Sequence, residues 1–333
     1  MPEPTPSPKR RGRLLRFGGA CVILCAVAGY LVVQYVAGGA GDPGCRVVSG
    51  GRDGAVYEFT PEQAVNAATI SAVGTNRGLP ERAVTIALAT ALQESGLRNI
   101  GHGDRDSLGL FQQRPSQGWG TEKQILDPAY AAGAFYEHLV KVSDYTDLPL
   151  TVAAQRVQRS GYPEAYAKHE PDATLLAAAL TGRSAATLTC AGRPGATTAA
   201  GPDAVRTALV RDFGRDALEE AGAEVSESSG GTDDKAPSTP APVVTAESSG
   251  RTVTVPVPTA EGGSAGHATE ERGWQLAHWA VANSSALHIE RVFYAGREWT
   301  AGNTDSRWRT AAVGGSAGSE RTTVDSVRII TAQ

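Results

Sequence analysis

LPERAVTIALATALQESG, residues 79–96, decides the fold class of the larger half of this chain. Leu79 and Pro80 open a helix, and the apolar positions Val84, Ala87, Leu88 and Ala91 recur at three- and four-residue spacing until Gly96 stops it. Glu94 falls in the last turn. Upstream, Thr60, Pro61 and Gln63 spell a capping-box start with proline at the first helical position, and that helix runs to about Arg77. Downstream, further starts stand at Asp127 with Pro128, Leu148 with Pro149, and Glu170 with Pro171. Long alternating patterns of the β type are absent, so residues 45–190 are expected to form an all-α domain.

Working outward to the C-terminus, residues 191–250 read as connector and linker. Val205–Ala221 is expected to be a helix exposing Arg206, Arg211, Asp212, Arg215 and Asp216, and 224–250 is mostly Ser, Gly, Thr, Pro and acidic residues. The linker is expected to separate two folded units. Beyond it, Thr252–Val257 alternates like a strand, Leu276, Trp279, Ala280, Asn283 and Leu287 form a helical stripe, and Ile289–Tyr294, Arg297–Trp299 and Val324–Ile330 are short strands. Residues 251–333 thus make a small α/β module, and the protein as a whole is α+β. Trp274, Trp279, Trp299 and Trp308 suit either a binding surface or, more simply, a small core. His267, His278 and His288 match no usual zinc spacing, so neither a metal nor a cofactor is expected.

At the other end, residues 1–16 are a basic, proline-rich tail and Phe17–Gly41 is 25 residues without a charge, enough to cross a bilayer. Lys9, Arg10, Arg11, Arg13 and Arg16 precede the span against the single acid Glu3, which keeps the N-terminus cytoplasmic and places the bulk outside the cell membrane. A cleaved signal peptide is the alternative, with Ala37, Gly38, Gly39 and Ala40 as a processing site. Cys21 and Cys25 lie within the span. Cys45 and Cys190 bracket the outer domain and either stay as two thiols or form one disulfide, which an oxidising compartment permits. A formal net charge of −4 gives no broad basic surface, so nucleic acid is not an expected partner. One span cannot line a transport pathway.

Gln93-Glu94-Ser95-Gly96, followed by Ser107-Leu108-Gly109-Leu110-Phe111-Gln112-Gln113 and then Pro115, resembles the lysozyme-like lytic transglycosylases of the SLT type. The resemblance covers roughly Phe59–Leu180, with Phe111 where the family usually has Met. It implies a membrane-anchored enzyme that cuts the β-1,4 bond between N-acetylmuramic acid and N-acetylglucosamine in peptidoglycan, with Glu94 as acid and base. Most glycosidases need a second carboxylate. In this family the substrate's own muramic 6-hydroxyl attacks instead, leaving a 1,6-anhydro product. Asp104 and Asp106 are the candidates for the second acid of a hydrolase.

Expected glycan contacts are Ser95, Phe111, Gln112, Gln113, Gln155 and Tyr162, with Trp119 and Tyr166 as further flat faces for sugar rings. One segment departs from the family. Where its members carry Ala-Tyr-Asn-x-Gly, this chain has Ala153-Ala154-Gln155-Arg156-Val157-Gln158. Gln155 and Gln158, on one helical face, are the candidates to replace those polar groups. The competing expectation is a non-catalytic envelope protein that uses the fold to bind glycan or to scaffold. The C-terminal module, which weakly resembles C-terminal domains of actinobacterial envelope proteins, is the place for an envelope partner.

Overall fold

The computed structural model describes residues 44–51, 54–159, 163–190, 201–215, 250–257, 265–302, 307–311 and 325–332. The expected tail and span, Cys21 and Cys25, Tyr162 and the low-complexity stretch 224–249 lie outside them. Among the described residues no helix is long and apolar enough to cross a membrane.

Two helices form the centre of the larger half. α1 (Pro61–Asn76) starts on the expected capping box: Thr60 Oγ1 accepts from the Gln63 amide at 3.3 Å, and Gln63 Oε1 accepts from the Thr60 amide at 2.7 Å. α2 (Glu81–Ser95) is buried without a break from Ala83 to Leu92. A helix hidden on every side must be short-chained to be approached closely, and the alanines of α1 and α2 supply that. α2 ends on Gly96 in the left-handed region, φ 63°, with the Gly96 amide donating to Leu92 O and the Leu97 amide to Ala91 O. This closure favours glycine because a Cβ disfavours that conformation, and it buries Leu97 beneath the last turn.

Around this pair lie α3 (Glu122–Ile125), α4 (Pro128–Leu139), α5 (Leu150–Gln158), a 3-10 helix (Pro163–His169) and α6 (Glu170–Leu180). Asp127 caps α4 through bonds from the Ala129 and Tyr130 amides, and Pro149 and Pro171 mark the starts of α5 and α6 as expected. The all-α expectation needs correction. A three-stranded antiparallel sheet, ordered β2-β1-β3, is made by β1 (Cys45–Val48), β2 (Val56–Phe59) and β3 (Leu188–Cys190). Strands of three or four residues give too short an alternation to read. Cys45 and Cys190 are directly opposed in this sheet and joined by a disulfide. By loop-closure entropy a bridge between residues 145 apart contributes on the order of 5 kcal/mol.

The C-terminal half carries a second antiparallel sheet, ordered β4-β8-β5-β6-β7: β4 (Thr252–Pro256), β5 (Ile289–Tyr294), β6 (Arg297–Thr300), β7 (Arg309–Thr310) and β8 (Ser326–Thr331). The helix α8 (Ala265–Ala282) packs on it. All four tryptophans of this half are buried, which settles their reading as core.

This half does not stand apart from the first, as the linker had suggested. The described residues from 44 to 332 belong to a single compact unit with one continuous apolar core. His278 Nδ1 of α8 lies 2.8 Å from Ala179 O of α6, and Trp308 Nε1 donates to Leu188 O of β3 at 2.9 Å. A Cβ on Gly182, at φ 85°, would stand 1.7 Å from Glu271 O, so the approach of the two halves there requires glycine. The connector helix α7 (Gly201–Phe213) is part of the same joint. Asp212, expected at the surface, is 2% exposed. It accepts from Thr69 Oγ1 of α1, from Trp279 Nε1 of α8 at 2.7 Å and from Arg211 Nε at 2.7 Å. Burial of a carboxylate is tolerated because each oxygen is hydrogen-bonded and a cation adjoins it.

Candidate active site

Glu94 sits half-buried at the end of α2, and three side chains fix the turn that carries it. Gln63 Nε2 donates to Gly96 O at 2.8 Å, and buried Asn66 Nδ2 donates to Leu97 O at 2.8 Å. Ser95 Oγ donates to Leu110 O at 2.8 Å and to Ala91 O at 3.1 Å. Helix C-termini leave carbonyls without partners, and here side chains from α1 answer those just beyond α2.

The loop beside it, Ile100–Gln113, is held as a wall. Gly109 N donates to Ile100 O, and Leu108 and Gln113 exchange backbone bonds at 2.9 and 3.0 Å. Phe111 is fully buried and stacks on Phe135, ring centroids 4.7 Å apart. Its carbonyl accepts from Gln158 Nε2 of α5 at 2.8 Å. Gln113 is 1% exposed and its Nε2 donates to Ala131 O at 3.0 Å. Gln112 is half-buried at φ 47°, a strained conformation for a residue with a side chain, and its Nε2 bonds Gly109 O at 3.3 Å.

Burial therefore gives Ser95, Phe111 and Gln113 the work of building the wall, in place of the glycan contacts expected of them. Gln112 stays within reach of solvent. Gln158 answers a loop carbonyl instead of Glu94, while Gln155 is half-buried on the same helix. Trp119 is half-buried against His138, ring centroids 4.2 Å apart.

The two secondary acids are placed differently from Glu94. Asp106 accepts from the Ser116 amide at 2.8 Å and from Arg114 Nε at 2.7 Å. The Ser116 amide first, and then the Arg114 guanidinium, hold its carboxyl well below the usual carboxylate range. A carboxyl so held is a brace for the 106–116 loop and a poor proton carrier. Asp104 is 94% exposed beside Arg105. Asp104 thus stands in solvent, and Asp106, partly buried like Glu94, is committed to its own loop.

The partner of Glu94 came from elsewhere. Tyr166, fully buried on the 3-10 helix, donates its hydroxyl to Glu94 Oε1 at 2.6 Å. Tyr166, expected as a flat face for sugar, is tied instead to an acid 72 residues earlier, a separation that leaves no spacing to read. The adjacent His169 Nε2 lies 3.2 Å from Gln93 Oε1. Burial pushes the His169 imidazole below its ordinary value, Lys168 adding to the effect and Asp172 opposing it. Among the described residues no cluster of three or more His, Cys, Asp or Glu is placed to hold a metal ion.

A family model described as the VldE C-terminal domain matches residues 241–322, about a quarter of the chain. The match takes in β4, α8, β5, β6 and β7 but stops before β8, the strand lying between β4 and β5. It does not reach Glu94 or its neighbours. No curated protein matches the chain.

Proposed function

We propose that this protein is a membrane-anchored, peptidoglycan-cleaving lytic transglycosylase that uses Glu94 as its single acid and base. The observation that carries the reading is the bond from the buried Tyr166 hydroxyl to Glu94 Oε1. A surface glutamate has no need of a buried phenol. One carboxyl oxygen held as an acceptor leaves Oε2 to carry the proton, so the acid is oriented before substrate arrives.

The reaction then balances without added water. Glu94 Oε2 gives its proton to the glycosidic oxygen as the bond to muramic C1 breaks, and an oxocarbenium-like centre develops. The resulting carboxylate takes the proton of the muramic 6-hydroxyl, whose oxygen closes on C1 and leaves the 1,6-anhydro ring. Glu94 ends protonated again. Asp106, committed to Arg114 and the Ser116 amide, and Asp104, out in solvent, favour this course over a hydrolase needing a second carboxylate. The charge-free 17–41 segment supports the anchor, and the cystine supports the extracytoplasmic side.

A second reading, glycan binding or scaffolding without cleavage, draws support from the burial of Ser95, Phe111 and Gln113, which narrows the set of groups free to touch substrate. The two part on one comparison. Full-length wild type should release soluble muropeptides from purified peptidoglycan, and Glu94→Gln should release them at least about 100-fold more slowly. Equal release would take the acid's role away from Glu94, and no release from folded wild type would leave the binding reading.

A further inference from the structure

Three residues make one turn of a 3-10 helix, so Tyr166 and His169 leave Pro163–His169 on the same face, about 6 Å apart along its axis. That face meets two consecutive residues of α2: Tyr166 bonds Glu94, and His169 bonds Gln93. The carboxamide of Gln93 is thereby held on the same side as the carboxyl of Glu94. With its hydrogen on Nε2, His169 donates to Gln93 Oε1 and fixes the amide by its oxygen. The Gln93 Nε2 amide then points its hydrogens elsewhere, and it donates to nothing among the described residues.

We propose that Gln93 is a specificity-determining donor that reads the acetamido carbonyl of the sugar beside the scissile bond, and that His169 is its positioning residue. The inference rests on Glu94 being the acid of a glycan-cleaving site. An uncharged N–H donor suits a neutral carbonyl, and the acetamido group is the substituent that sets these sugars apart from other β-1,4 glycans. A donor on the residue next to the acid, held against the same 3-10 face, is within reach of a substituent on the ring whose bond is being cut. A half-buried donor left without an acceptor costs binding energy, so the same group that welcomes the acetylated ring penalises one lacking it.

The test reads binding in protein that cannot turn over. Full-length Glu94→Gln is titrated calorimetrically with the β-1,4 tetramer of N-acetylglucosamine and with its de-N-acetylated counterpart, alone and combined with Gln93→Ala, His169→Ala or His169→Gln. Gln93→Ala should weaken the acetylated tetramer about five- to tenfold and leave the de-N-acetylated one unchanged. His169→Ala should lose part of that preference, and His169→Gln, which keeps a donor, should restore it. An unchanged preference in Gln93→Ala overturns the proposal, and so does failure of the Glu94→Gln parent to bind either tetramer. Failure of the catalytic reading looks different: wild type would then discriminate between the tetramers yet release nothing from peptidoglycan.

Discussion

Glu94 and Tyr166 form the smallest unit that has to be right. A tyrosine hydroxyl hydrogen-bonded to a carboxylate contributes roughly 1.5–3 kcal/mol, and here it also decides which oxygen is free. Tyr166→Phe keeps the buried ring and deletes the bond. We expect kcat to fall about tenfold with KM little changed, because the acid loses the donor that orients it; steady-state kinetics checks both. Asp106 makes a separate prediction. Its folded-state acidity is greater than that of an unfolded aspartate, so the stability it contributes is complete above about pH 4 and drains away as pH falls below that value. Asp106→Asn should therefore show a flatter loss of thermal stability in acid than wild type, measured by melting temperature against pH. An equally steep loss would place the acid sensitivity elsewhere. At this scale the place of Glu94 in the last turn of α2 was legible from the sequence. Tyr166 was not, because a hydrogen bond between residues 72 apart leaves no periodicity to read.

Among the elements, α1 and α2 were the most legible, since proline, a capping box and a terminal glycine punctuate them. The three short strands of the first sheet were not, and neither was the role of Asn66. It sits on the buried side of α1 and donates to Leu97 O beyond the end of α2. Polar residues inside a helical stripe look like noise until their partner in another element is known. Asn66→Ala leaves a buried carbonyl without a donor and should cost about 2 kcal/mol in denaturant unfolding. Amide exchange should quicken first around residues 95–98, where the turn carrying Glu94 is tied down. Quickening confined to α1 would show that Asn66 serves only its own helix. The Ile100–Gln113 loop depends on the same logic, its carbonyls at Leu110 and Phe111 answered by Ser95 of α2 and Gln158 of α5.

For the whole molecule, α8 belongs to both halves, and the low-complexity stretch before β4 concealed that. A linker's composition tells how the chain travels, not whether its two ends pack together. His278 reports on the joint, because it is fully buried between Trp274 and Trp308 and meets Ala179 O. Burial lowers its pKa from 6.5 to about 4, so below pH 6.5 the unfolded chain takes up a proton that the folded chain refuses. Stability should hold above about pH 6.5 and fall as the pH drops toward 4, at up to about 1.4 kcal/mol per pH unit from this residue. His278→Asn, which keeps a donor for Ala179 O, should flatten that part of the curve in denaturant melts; an unchanged slope would assign it to other groups. Mass spectrometry of peptidoglycan digested by the full-length protein in water enriched in oxygen-18 tests whether Glu94 acts alone as acid and base. A single-carboxylate transglycosylase gives 1,6-anhydromuramic ends that carry no heavy oxygen, and Glu94→Gln gives none of them. Reducing muramic ends labelled with oxygen-18 would contradict it and require a second acid and a water.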